Sequence, residues 1–472
     1  MNQACFFPWK NEPWLPFEWV QVYHQNIKSN KNSNQINWEI TDNHKKCQQI
    51  IKENSVAEWK TAGAFFASQL WNNWSQSLHV SPTWSVCVQT KSQHHHWNAY
   101  WSGFWLAIDA IPRETPELNR PNKKTHNRLT VFVKDSQLSE EEWNEERTWA
   151  DATIWVRTLQ DCPANKRSPE ILAKLIQDSC QKLPSVRIET HSSKDSFLKN
   201  WGGIQGIHQG ATHDHPAYLV TGEYKPQTQN KKSTKSYVLI GKGVNFDTGG
   251  LALKNPEKMS LMKMDLTGAL CAFATFYTCA YLQKPIQLSV VLPFVDNVIG
   301  SHAILPGSVV KLYGNTTIEI VDPDAEGRVI LAEASNYASE KYPDYEAIVV
   351  GTLTGQIDKV GNGLYSAIFR KGSKEEEWMA AAEESQELLW DCPLQKAFEP
   401  LLHSTVADYV NINEDVTADM LWCGYFLSKF WKPKTNWSFI DLTGIISTPF
   451  QIPWIPKVGH GVGVQLMRAY LV

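Results

Sequence analysis

The chain has 472 residues, 42% of them hydrophobic and 20% charged, with a formal net charge of −4. This composition excludes a disordered or fibrous protein, and the charge balance excludes a global pull toward nucleic acid or anionic membrane. The length exceeds one ordinary hydrophobic core, so two domains are expected.

The N-terminal stretch is aromatic (Phe6, Phe7, Trp9, Trp14), but Pro8, Lys10, Glu12 and Pro13 interrupt it and leave no signal-peptide core. No run of about 20 apolar residues predicts a membrane span. Nine cysteines are scattered without a C-x-x-C pair, which points to reduced, packed thiols in a reducing compartment. A cytoplasmic protein is expected.

Residues 1–150 read as a smaller N-terminal α/β domain with an oligomerisation or regulatory role. Ala57 to Trp74 has helical apolar spacing, and 84–89 and 129–134 read as buried strands. His94, His95 and His96 read as a polar loop, because three consecutive side chains cannot all point at one ion. The many tryptophans read as packing residues, since no basic residues alternate with them as in single-strand binders. A helix is expected over 139–159, followed by a loop, DCPANKRSP, before the larger C-terminal α/β domain, 151–472.

In that domain, strands are expected at 217–221, 237–240, 287–294, 309–312, 317–321, 346–352 and 438–441. Helices are expected at 169–182, 258–282, 329–340, 375–387 and 418–431. The alternation describes a largely parallel or mixed central sheet flanked by helices, in which ligands gather at the carboxyl ends of strands.

Two charged segments sit at such ends. The first, GKGVNFDTGGLALK followed by MKMDLTGA, embeds Lys242, Asp247, Lys254 and Asp265 among apolar and small residues, where ionised groups are costly unless paired or bound to a cation. The second, VDPDAEGRV, carries Asp324, Glu326 and Arg328 at alternate positions, which would share one side of an extended segment. Four carboxylates near strand ends repel one another unless cations intervene. Two divalent ions would balance them with Lys242 neutral, and oxygen-rich ligation with one amine suits Zn²⁺, Mn²⁺ or Mg²⁺. Two ions about 3.5–4 Å apart could share a bridging hydroxide as nucleophile.

These segments, with DAEGRVILAEA, resemble the signatures of the leucyl aminopeptidase family, the dinuclear metallo-exopeptidases of peptidase family M17. The resemblance extends more weakly over DCPANKRSP, GGIQGIHQGA, TLTG at Thr352 to Gly355 and WSFIDLTG at Trp437 to Gly444, and does not reach the first 150 residues. It implies five metal ligands, Lys242, Asp247, Asp265, Asp324 and Glu326. Asp247 and Glu326 would bridge, Lys242 and Asp265 would complete the tighter site, and Asp324 the more exchangeable one. It implies that Lys254 steadies the oxyanion and that Arg328 holds a bicarbonate ion acting as general base. Met262 matches a residue of the pocket for the first side chain, with an ordinary core methionine as the plain alternative. The implied substrates are peptides with a free N-terminus and an apolar, leucine-like first residue, and the implied assembly is a homohexamer.

The chain departs from the family pattern at Asp322-Pro323, where most members read Asn-Thr, and at Ser308, where an Asp is usual. No G-x-S-x-G or H-E-x-x-H motif offers another nucleophile scheme. A Cys271/Cys279 redox pair is disfavoured by two intervening helical turns. The alternative reading is a catalytically silent structural relative, or a DNA-binding one, which would need a basic groove.

Overall fold

The computed structural model describes residues 139–472 except 212–213, 228–234, 446–448, 451, 453 and 457–458. Before 139 it describes strands at 20–25, 35–40, 45–50, 83–89 and 129–134 and helical residues at 60–65, 67–68, 101–104 and 106. His94, His95 and His96 lie outside the described residues. The chain separates into two compact units, one comprising Met1–Ile154 with two short later segments and the other most of Trp155–Val472.

The first unit contains strands β1 (Val20–Gln25), β2 (Gln35–Ile40), β3 (Lys45–Ile50), β4 (Thr83–Gln89) and β5 (Leu129–Lys134) in the order β1-β5-β4-β2-β3. β5 pairs parallel with β1 and β4, whereas β2 pairs antiparallel with β3 and β4. Trp101 is buried edge-on against Trp143 and Phe104. The acidic first turn of the Glu140–Asp161 helix is capped by Ser139, whose hydroxyl accepts from Glu142 N–H while the Glu142 carboxylate accepts from Ser139 N–H.

The second unit is built on strands β6 (Val186–Ser192), β7 (Tyr218–Tyr224), β8 (Ser236–Gly241), β9 (Gly243–Asp247), β10 (Gln287–Asn297), β11 (Ser308–Lys311), β12 (Thr317–Ile320), β13 (Glu346–Gly351), β14 (Tyr365–Lys371), β15 (Leu388–Asp391), β16 (Tyr409–Val410) and β17 (Trp437–Asp441). The central sheet runs β15-β14-β17-β13-β8-β10-β7-β6, with β9 paired to the far half of β10. β17, β13, β8 and β10 are mutually parallel, and the flanks turn antiparallel at β14 and β7. The expected mixed sheet flanked by helices is therefore present. The strands at β6, β9, β14, β15 and β16 carry weaker apolar patterns and were not expected.

Side chains alternate across a strand, and both faces of this sheet are covered. Val238, Ile240, Ala347 and Val349 join a core with Val329 and Ile330 of the Glu326–Lys341 helix. Leu239, Ile348 and Val350, equally buried, belong to the other face, where the Thr267–Tyr281 helix, buried throughout except at Tyr281, packs on β8, β10 and β13. That helix approaches very closely: a Cβ on Gly268 would lie 2.2 Å from the Val350 carbonyl oxygen, and one on Gly241 2.4 Å from Ala269 Cα. Cys271 and Cys279 are buried free thiols within it, as are Cys162, Cys180, Cys392 and Cys423 elsewhere. Among the described residues no helix is long and apolar enough to cross a membrane.

Two local expectations need correction. The stretch 258–282 is not one helix: a short turn at Pro256–Met259 and a 3-10 segment at Ser260–Met264 precede the helix at Thr267. The break at Asp265 and Leu266 lets the Asp265 carboxylate turn inward rather than follow the helix surface. Nor is 324–328 extended, because Glu326 opens the Glu326–Lys341 helix.

Candidate metal centre

The loop that leaves β8 supplies the first charge. Lys242 lies between β8 and β9; its N–H donates to Val350 O on β13 and its carbonyl accepts from Ala269 N–H. The residue is 3% exposed. The ammonium lies 2.8 Å from both Asp265 oxygens and 2.9 Å from Glu326 Oε1, and donates to Thr352 O at 2.7 Å. Burial alone would push this amine down, but Asp265, Glu326 and Asp247 outweigh it and hold its pKa above the ordinary lysine value.

Asp247 ends β9 and is 1% exposed. Its Oδ1 accepts from Gly249 N–H and from Asn297 Nδ2, both at 2.8 Å, and its Oδ2 faces Lys254 Nζ at 2.8 Å. Asn297 is the β10 register partner of Asp247, so the strand pairing itself delivers this donor. Lys254 also pairs closely with Asp324 Oδ1. Asp324 is positioned by an Asx turn, in which Asp322 Oδ1 accepts its N–H at 2.8 Å. The departure at Asp322-Pro323 thus has a local job, and Pro323 O accepts from Asn297 Nδ2. Asn411 clasps the same loop, accepting from the Val321 and Asp322 N–H groups and donating to Asp322 O.

Asp247, Asp265 and Glu326 each present a carboxylate oxygen within 4.8 Å of the others. The cluster therefore gathers four carboxylates around two ammoniums, two positive charges short of neutrality. The shortfall is visible in the carboxyls. Burial, then the Glu326 and Asp265 charges, pushes Asp247 well above the carboxylate range. Burial raises Asp265 to about 6 despite Lys242, and raises Asp324 despite Lys254. Glu326 alone is held down, because Lys242 and Lys254 overcome its burial. Asp265 Oδ2 and Asp324 Oδ1 are buried and accept no hydrogen bond of normal geometry, though each faces an ammonium. An oxygen-rich set with one amine, short of positive charge, fits divalent cations.

Arg328, in the first turn of the same helix as Glu326, is 3% exposed. Its two outer nitrogens donate to the two oxygens of Asp419 at 2.7 and 2.8 Å, one also donates to Asn411 O at 3.2 Å, and the guanidinium lies over the Trp422 ring. Met262 is half-buried in the 3-10 segment before Asp265.

Sequence reasoning missed Asn297, Thr352, Asn411 and Asp419. Thr352 Oγ1 donates to Asp265 Oδ1 at 2.7 Å, and its TLTG segment carried a signal. The polar pair closing the apolar β10 was the only hint of Asn297. Asn411 and Asp419 reach the site through tertiary contact alone.

Fold and cluster together define an α/β protein that concentrates cation-binding groups at the carboxyl edge of a mixed sheet. The sequence profile of the cytosol aminopeptidase family, catalytic domain, matches residues 154–468. The probable cytosol aminopeptidase of Rickettsia rickettsii (strain Sheila Smith) is 29% identical over 372 residues, 78% of this chain and 73% of the relative. That of Rickettsia felis is 28% identical over the same length. Among solved structures, the bottromycin maturation enzyme BotP in complex with Mn superposes with a TM-score of 0.78 at 22% identity, over 96% of this chain and 98% of that one. The cytosol aminopeptidase from Coxiella burnetii gives 0.73 at 24% identity, over 89% and 84%. These two likenesses concern the fold. The chain belongs to the cytosol aminopeptidase family.

Proposed function

We propose that this chain removes the first residue from peptides with a free N-terminus, favouring leucine-like or other apolar first residues. Two divalent ions, Zn²⁺, Mn²⁺ or Mg²⁺, would be held by Asp247, Asp265, Asp324, Glu326 and Lys242, whose amine would give up its proton as the ions enter. One observation carries the reading: four carboxylates from three segments meet two lysines at a strand edge, in a chain of an aminopeptidase family.

Bound divalent ions supply charge that polarises a peptide carbonyl and acidifies water. Asp247 and Glu326 are read as shared between the ions, Lys242 and Asp265 as completing one position and Asp324 the other. Asp265 also receives the substrate's α-amine, so a blocked N-terminus is refused. Lys254, kept protonated because Asp247, Glu326 and Asp324 outweigh its burial, lends its ammonium to the oxyanion developing on the carbonyl. Met262 is assigned to the pocket for the first side chain. Bicarbonate at Arg328 is left out of this reading, because Asp419 already takes both outer nitrogens.

Residues 1–150 are read as the regulatory or oligomerisation domain and 151–472 as the catalytic domain of a cytoplasmic homohexamer; the name of the relatives supports the compartment, and light scattering tests the assembly. The retention of all seven charged positions argues against a silent or DNA-binding relative. The deciding experiment is hydrolysis of aminoacyl-amidomethylcoumarins by metal-stripped protein before and after return of Mn²⁺, Zn²⁺ or Mg²⁺. Folded protein that releases no fluorophore with any ion would sink the reading.

A further inference from the structure

Arg328 is a buried cation on the first turn of the helix that begins with Glu326, beside the carboxylate cluster. A guanidinium so buried needs an anion, and its planar fork matches a planar oxyanion through two parallel N–H···O bonds. In this chain that fork is filled from within. Asp419, the first residue of the Asp419–Leu427 helix, accepts from both outer nitrogens, and Asn411 O and the Trp422 face occupy further sides of the group. A bicarbonate ion would need the same two nitrogens, so bicarbonate and Asp419 exclude one another. The Asp419 side chain is 24% exposed, against 3% for that of Arg328.

We propose that Asp419 is the resident anion of this site, a positioning residue that locks Arg328 and makes the enzyme independent of exogenous bicarbonate. The inference rests on the aminopeptidase reading for its kinetic arm only. Removing the carboxylate would uncover a buried, unpaired guanidinium, a ready site for small planar oxyanions of the carbonate and carboxylate class.

The test compares wild type with Asp419→Ala in carbon-dioxide-free buffer, adding bicarbonate or formate. Wild type should keep its melting temperature and kcat/KM throughout. Asp419→Ala should lose about 10- to 100-fold in kcat/KM, as when a partner that orients an active-site group is removed. Saturating anion should recover part of the rate and raise the variant's melting temperature by about 2–4 °C through linkage. If Asp419→Ala does not fold, Asp419→Ser, which lacks the charge and is short enough to leave the anion's place open, takes its place in both arms. Wild type activated or stabilised by bicarbonate overturns the proposal. So does a variant indifferent to anions in the melt, or one that binds them with no change in rate. If wild type proves to have no peptidase activity, the aminopeptidase reading fails, and the melting arm still decides whether Asp419 fills the anion site.

Discussion

Gly327 lies directly against Lys242: a Cβ at that position would sit 2.4 Å from Lys242 Cε and 2.6 Å from its Nζ. The lysine cannot swing aside without leaving Asp265, Glu326 and the Thr352 carbonyl. Gly327→Ala should therefore lower divalent-ion affinity and kcat/KM by at least about 10-fold, although alanine in a helix ordinarily stabilises by up to about 1 kcal/mol. Isothermal titration with Mn²⁺ and a melting curve separate the two effects; unchanged ion affinity would remove Lys242 from the ligand set.

Asn297 donates to Asp247 Oδ1 and to Pro323 O, tying the end of β9 to the loop that carries Asp324. Asn297→Leu, similar in volume but without donors, should weaken ion binding by about 10- to 100-fold while the central sheet persists. Ion content per chain after dialysis and far-ultraviolet circular dichroism report the two quantities independently.

Lys254 stands between Asp247 and Asp324 with its charge secured. Lys254→Ala should reduce kcat by about 10²–10³-fold, the usual loss for one oxyanion partner, with KM changed much less. A loss confined to KM would reassign the residue to substrate binding.

Glu333 is fully buried, and its carboxylate accepts from the Gly203, Ile204 and Tyr313 N–H groups. Burial outweighs these bonds and raises its pKa from 4.5 to about 7. The folded state then holds the proton more tightly than the unfolded chain. The stability this group contributes is complete below about pH 4.5 and is lost as pH rises toward 7. Glu333→Gln should cost about 1–3 kcal/mol, because one amide N–H must face a backbone N–H. The difference in unfolding free energy between wild type and variant should also shrink as pH rises through that window; a constant difference would show that the carboxyl does not titrate there.

The central strands and five of the charged positions were legible for one physical reason. Val, Ile and Leu runs mark buried strands, and Lys242, Asp247, Asp265, Asp324 and Glu326 stand out as ions in apolar or glycine-rich surroundings. The alternation in Asp324-Ala325-Glu326-Gly327-Arg328 misled, since charges spaced by two suit a turn entering a helix as well as a strand. The continuous helix expected over 258–282 failed because local apolar spacing does not register that Asp265 must face Lys242. Asp419 was invisible for a different reason: its partner Arg328 is distant in sequence, and nothing in the sequence around Asp419 marks the pair.

The peptide of Lys242 is bonded on one side to β13 and on the other to the helix that starts at Thr267. Its place is complete only with those elements docked, so we expect the mutual repulsion of the four carboxylates to develop late in folding. Ions that relieve it act on interactions formed after the transition state. They should slow unfolding in stopped-flow denaturant jumps and leave the refolding rate unchanged. A newly made chain would thus reach its shape unaided and take on its ions afterwards.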